Sequence, residues 1–195
     1  MARKYRLDWR IYMIKVLAIG GEPCSGKTTL VKRFINESGL KFEKIKAAKL
    51  LDALYCEEKD LYIFGIYDDS GTTFQGTDKL SMAVQPNAVE FINNLSNGTV
   101  IFEGDRLFNA KFLGCLSEAV LPDNFRILVL KTKNEVLEER HISRNDDQDA
   151  TFKTSRRTKV NNILSNLDLR EYTTMMQNND LEEQQKVYDF LQWVL

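Results

Sequence analysis

Residues 21–28 read Gly21-Glu22-Pro23-Cys24-Ser25-Gly26-Lys27-Thr28 and fit the pattern GxxxxGK[ST] without mismatch. That spacing serves phosphate binding. The backbone N–H groups of such a loop converge on a phosphate, and the helix that follows adds the positive end of its dipole. A lysine at the place of Lys27 reaches the β- and γ-phosphates of a nucleotide, and a hydroxyl at Thr28 ligates Mg²⁺. Gly21, Cys24, Ser25, Gly26, Lys27, Thr28 and Thr29 are therefore the expected nucleotide contacts. Cys24 enters through its backbone, and its thiol is incidental.

Three further groups could complete a phosphoryl-transfer site. Glu103-Gly104-Asp105-Arg106 follows an apolar run. Side chains at the carboxyl end of a parallel strand face the ligand crevice, so Glu103 and Asp105 could meet Mg²⁺ and Arg106 a phosphate. Arg140, Arg144, Arg156 and Arg157 surround a polar stretch. Charge spread over three transferring oxygens needs clamps of that kind, and Arg140 and Arg144 are the members expected to act in catalysis. An alcohol acceptor also needs a carboxylate within reach of its proton. Asp69, Asp78 and Asp105 are the candidates. Spacing does not rank them, and we take Asp78 for the proton and Asp105 nearer the metal.

Elements must hold these groups. Ile14–Ile19 is a short apolar run before Gly20-Gly21, and a helical pattern covers Lys27–Glu37, giving strand, glycine loop, helix. The lysine-rich segment 41–49 is either a strand edge or, as we prefer, a solvated face. Residues 50–56 and 61–67 read as a hairpin or as a helix followed by a strand, with a strand expected for the second. Residues 68–81 are too rich in Gly, Thr, Asp and Ser to be regular, and loops of that length tend to be functional. Pro86 should start a helix through Leu95. Strands are expected at Thr99–Glu103 and Phe125–Leu130, continuous apolar runs suited to burial on both faces. Helices should follow over Asn134–Arg144 and from about Arg156 to Leu167. A last strand over Tyr172–Gln177 then precedes a terminal helix capped by Asp180, with Glu183 three residues on. Strands alternating with helices predict a doubly wound, mainly parallel α/β fold with helices on both faces. It should form one domain over residues 1–195, with an arginine-bearing lid at about 140–158.

The bulk properties agree. The chain has 195 residues, 27 Lys and Arg against 28 Asp and Glu, and a net charge of -1. That balance excludes a generally basic nucleic-acid coat but leaves local grooves open, from Arg3, Lys4, Arg6, Arg10 and Lys15 or from Lys41, Lys44, Lys46 and Lys49. No apolar run approaches the roughly 20 residues of a membrane span, and the N-terminal residues are too polar for a signal peptide. Cys24, Cys56 and Cys115 share no metal-ligand spacing, and His141 is a lone histidine. A reduced, cytoplasmic chain with buried thiols is expected.

The loop, the VIFEGDR strand end and the arginine set resemble the nucleoside-monophosphate-kinase-like branch of P-loop proteins. FGIYDDSGTTFQGTDKLSMAVQP, together with these, resembles phage-encoded P-loop kinases that phosphorylate 5-hydroxymethyluracil within DNA during thymidine hypermodification. The resemblance covers most of the chain from Ile14 to the lid. It implies ATP and Mg²⁺ as cofactors and a nucleotide-type acceptor, at best guess the hydroxymethyl group of that base in DNA. The Gly76–Ser81 loop would then contact the base, making Asp69, Gly76, Thr77 and Arg106 the substrate-binding residues. If the chain is phage-encoded, the host cytoplasm is its setting. A kinase of a free nucleotide, nucleoside or other small molecule is the alternative. A GTPase switch is the second: Asp68-Asp69-Ser70-Gly71 fits DxxG, and Thr132-Lys133-Asn134-Glu135 stands where [NT]KxD would read guanine. There Glu135 replaces the required Asp, so ATP is expected over GTP. Gln177–Asp180 is the expected neighbourhood of the adenine.

Overall fold

The computed structural model describes residues 14–68, 74–145 and 148–193. Its centre is β1 (Ile14–Gly21), whose side chains alternate between two cores. Val16 and Ala18 face one cluster, and Leu17 and Ile19 face the other. β5 (Gly98–Glu103) and β6 (Phe125–Lys131) lie on either side of β1, both parallel to it, and repeat the alternation. Val100 and Phe102 go one way and Ile101 the other. Period-2 side chains buried on both faces explain why these strands read as continuous apolar runs.

Among the described residues the sheet has seven strands in the order β2-β3-β4-β5-β1-β6-β7. The others are β2 (Glu43–Ala48), β3 (Leu51–Cys56), β4 (Leu61–Phe64) and β7 (Thr173–Gln177). β4 to β7 run parallel to β1, whereas the β2–β3 and β3–β4 pairs are antiparallel. One face is covered by α2 (Gln85–Asn94), α3 (Ala110–Ala119) and α5 (Ala150–Leu164), through residues such as Ile92, Phe112 and Ile163. The other is covered by α1 (Lys27–Glu37) and α6 (Leu181–Trp193), through Phe34, Val187 and Leu191. α4 (Asn134–Ser143) follows β6. This is the expected mainly parallel α/β architecture with helices on both faces. None of the described helices is long and apolar enough to cross a membrane.

Several expectations are corrected. The lysine-rich segment is the edge strand β2, and Lys46 pairs across it with Asp52 at 2.9 Å; charge on an edge strand discourages pairing with other chains. Residues 51–64 form the hairpin, one of the two readings of this segment. α5 begins at Ala150, six residues before the expected start, because Asp149 accepts the Phe152 N–H at 2.7 Å and caps it. α3 went unforeseen although it carries its own signals, with Asn109 at the cap and Phe112, Leu113 and Leu116 at helical spacing. Cys24 and Cys56 are buried, but Cys115 is exposed.

Asn109 Oδ1 accepts the Phe112 N–H at 3.0 Å. Asn109→Ala should therefore cost about 1 kcal/mol of stability, seen as a lower urea midpoint with unchanged slope.

Candidate active site

The sheet register sets Glu103 beside Ile19, two residues before the loop begins. The loop then turns into α1 through Gly26, at φ 96. A Cβ there would run into the side-chain amide of Asn178, which donates to the Ser25 carbonyl at 2.6 Å. No side chain caps α1 and no acidic residue occupies its first turn. Its leading N–H groups thus remain available to an anion. Lys27 Nζ donates to the carbonyls of Gly21 (2.9 Å) and Glu22 (2.8 Å), so its ammonium lies over the mouth of the loop. Ser25 Oγ is buried without a hydrogen-bond partner among the described residues. Thr28 Oγ1 donates to Glu103 Oε1 at 3.1 Å.

Three carboxylates meet here. Glu103 is 1% exposed; burial pushes its carboxyl up to about 7, against the pull of Lys27. Asp78 is raised by burial and then by Asp105, and its Oδ1 accepts the Asp105 N–H at 2.6 Å. Asp105 itself is ion-paired with Arg156 at 2.7 Å and Lys159 at 3.7 Å. The sequence candidates Lys27, Thr28, Asp78, Glu103 and Asp105 therefore line one cleft of about 70 Å³, along with Phe74 and Phe152. Asp69 lies outside the described residues.

Two residues expected to touch the acceptor do something else. Gly76 sits at φ 63 and ψ -138, and a Cβ there would collide with Glu103 Oε1. Thr77 is fully buried, and its hydroxyl donates to the Glu103 carbonyl at 2.8 Å. Thr77 thus fastens the strand end, and Gly76 leaves the room that the Glu103 carboxylate occupies. Arg106 Nε donates to the Leu80 carbonyl at 3.3 Å, which ties it to the same loop.

The arginines divide likewise. Arg140 donates to the carbonyls of Cys24 (3.3 Å), Asn178 (2.9 Å) and Asn179 (3.1 Å). That makes it a staple between the phosphate loop and the β7–α6 turn, not a free clamp. Arg144 is exposed, stands 3.9 Å from Cys24 Sγ and lines the cleft that holds Lys27 and Asp78. Arg157, on α5, pairs with Glu22 at 2.7 Å, and Lys131 lies 3.8 Å from the same carboxylate. The α5 arginines rest on carboxylates at the mouth of the site.

Arg144 also borders a second cleft, of about 180 Å³, lined by Gly26, Thr29, Arg33, Asn178 and Gln184. It adjoins the loop on the side of Gln177–Asp180, where the adenine was expected. Sequence reasoning missed Glu22 as the partner of Arg157, Lys159 as a partner of Asp105, and the 3.3 Å contact between Cys24 Sγ and His141 Nδ1. No spacing rule signals contacts between residues 54 to 135 positions apart. On the GTPase side, Asp68 is ion-paired with Lys79 at 2.7 Å, and Glu135 is exposed in the first turn of α4.

No protein-family model matches the chain. No curated protein matches it in sequence. Among solved structures, a gluconokinase from Sinorhizobium meliloti 1021 is similar over 92% of this chain and 96% of that one, at 14% identity and a TM-score of 0.47.

Glu103 has an ordinary value of 4.5 and titrates at about 7 in the fold, so the native state binds the proton more tightly. Its stabilising contribution is present below pH 4.5 and is lost as pH rises through about 7. Without nucleotide or metal, Glu103→Gln should be more stable than wild type at pH 8, by on the order of 1–3 kcal/mol. The gap should close toward pH 5, as read by urea unfolding across that range.

Proposed function

We propose that the protein is an ATP-dependent phosphotransferase that moves the γ-phosphate to a hydroxyl of a small-molecule or nucleotide-type acceptor. The observation that carries the reading is the convergence, at the end of β1, of an uncapped helix N-terminus, Lys27 and the Thr28–Glu103 pair with a second carboxylate, Asp78. A switch protein has no evident use for Asp78 at that place, and Glu135 does not supply the guanine-reading Asp.

The donor set fits Mg²⁺. Thr28 and Glu103 offer hard oxygens 3.1 Å apart, and the orphaned Ser25 hydroxyl nearby is suited to a phosphate. Among the described residues no group of three or more His, Cys, Asp and Glu forms a metal cage, which suits an ion that usually takes one or two carboxylates plus substrate phosphates. When bound, Mg²⁺-ATP supplies the electrophilic γ-phosphoryl group and neutralises part of its charge.

The remaining roles belong to the chain. The first-turn amides of α1 hold phosphate oxygens, and Lys27 exchanges its two carbonyl partners for them. Asp78 orients the acceptor hydroxyl and takes its proton; burial and Asp105 hold its carboxyl above the ordinary range, closer to working pH. Arg144 reaches the transferring group from the α4 end, and the Arg156–Asp105 and Arg157–Glu22 pairs close the site from the other side. Adenine would occupy the cleft between Arg33 and Asn178.

A narrower reading, the hydroxymethyl group of 5-hydroxymethyluracil in DNA, is supported by the loop resemblance and by Phe74 and Phe152 in the acceptor cleft with Asp78. Two rings can hold a flat base taken out of its stack, at a cost of a few kcal/mol.

Radiolabel transfer from ATP tests both readings. The acceptors are gluconate and other sugar acids, nucleosides, nucleoside monophosphates, and matched DNAs with thymine or 5-hydroxymethyluracil. Label on a free small molecule and on neither DNA removes the narrower reading; label on none removes the kinase. On the accepted substrate, Lys27→Ala should lower kcat about 10²- to 10³-fold without unfolding the protein. Asp78→Asn should lower kcat about 10²- to 10⁴-fold with little change in KM for ATP. Arg144→Ala should lower kcat more than it raises that KM.

A further inference from the structure

Tyr67 lies just beyond β4, and its ring packs in the cluster with Leu17, Ile19 and Ile101. Packing accounts for the ring, and a phenylalanine would pack the same way. It does not account for the oxygen. The Tyr67 hydroxyl is buried and has no hydrogen-bond partner among the described residues. A buried hydroxyl left in that condition keeps the whole cost of its lost hydration, and an unsatisfied group in a folded protein calls for a reason.

The reason lies in what the oxygen faces. A Cβ built on Gly76 would stand 3.0 Å from Tyr67 Oη and would collide with Glu103 Oε1. Hydroxyl and carboxylate therefore approach the same bare face of Gly76, close enough for a small shift or one water to join them. Burial first, and then the charges of Glu103 and Asp78, keep the phenol protonated as a donor. Thr28 already donates to Glu103 Oε1 from the loop side. Tyr67 is thus a donor without an acceptor, beside a carboxylate that can accept more than one hydrogen bond.

We infer that Tyr67 is a positioning residue that acts through Glu103: its hydroxyl becomes the second donor to that carboxylate when the nucleotide site is loaded, and holds it turned toward the metal. The inference rests on the reading of Thr28 and Glu103 as the metal-side pair of a nucleotide site. Groups that orient a metal's carboxylate or imidazole partners from behind typically contribute 10- to 100-fold in metal affinity or activity. A hydroxyl idle in the resting protein and engaged in the loaded one has a two-sided signature. Its removal should not harm the empty protein and should weaken the loaded one.

The test is Tyr67→Phe, measured by thermal unfolding of the empty protein and by titration of Mg²⁺ at fixed ATP, with the rise in Tm as readout. The empty variant should unfold at or above the wild-type temperature. Its half-saturating Mg²⁺ should rise about 10-fold or more. In a Glu103→Gln background the same substitution should leave the Mg²⁺ dependence unchanged, because the effect passes through that carboxylate. A Tyr67→Phe variant with wild-type Mg²⁺ dependence overturns the inference. So does one that loses stability when empty, or one whose Mg²⁺ effect persists without Glu103. A wild-type protein that gains no stability from Mg²⁺ and ATP overturns the nucleotide-site reading itself, and this inference with it.

Discussion

Glu103 is an ionisable side chain buried at the end of a central strand, where a carboxylate survives only if its surroundings answer its charge. Thr28 donates to it from the loop, Lys27 acts on it through space, and Thr77 fastens its backbone carbonyl. Gly76 leaves its face bare because any side chain there would occupy the carboxylate's place. This one placement links the two halves of the site. It ties the phosphate loop, on β1, to the 76–81 loop, which carries Asp78. It also explains why a segment rich in Gly, Thr and Asp is ordered where it meets the strand end.

Around that centre the charges arrange themselves in two tiers. Asp78 and Glu103 stay close to Lys27 and are held above the ordinary carboxylate range mainly by burial. Asp105 and Glu22, nearer the rim, are matched by Arg156, Lys159, Arg157 and Lys131. The inner tier is suited to proton and metal chemistry, because its carboxylates are not neutralised by direct ion pairs among the described residues. The outer tier fastens α5 over the mouth, Arg156 on Asp105 and Arg157 on the buried Glu22.

The loop is held from the other side through its carbonyls. Asn178 and Arg140 bind its carbonyls from the turn after β7 and from α4. The Cys24 and Ser25 carbonyls are thus satisfied by Arg140 and Asn178 and those of Gly21 and Glu22 by Lys27, while the Ser25 N–H donates within the loop to the Glu22 carbonyl. The donors suited to an anion are the N–H groups of the first turn of α1.

The phosphate loop, the strand before it and the helix after it were legible in the sequence, because the whole unit is local: an apolar run, a fixed spacing of glycines and a helical repeat within 24 residues, from 14 to 37. The buried strands β5 and β6 were legible for the same reason. What the sequence could not rank was the role of each polar residue brought in from afar. Asp78, Asp105 and the four arginines were visible as types. Only the tertiary structure divided Arg140, stapled to three carbonyls, from Arg144, left at the cleft, and turned Gly76 and Thr77 from substrate contacts into supports for Glu103. The start of α5 was misplaced because Asp149 caps it from within a polar stretch that has no apolar stripe. Side-chain chemistry and short-range periodicity are written along the chain. Which donor meets which acceptor depends on strand register and helix placement, and these are fixed by burying both faces of the sheet at once.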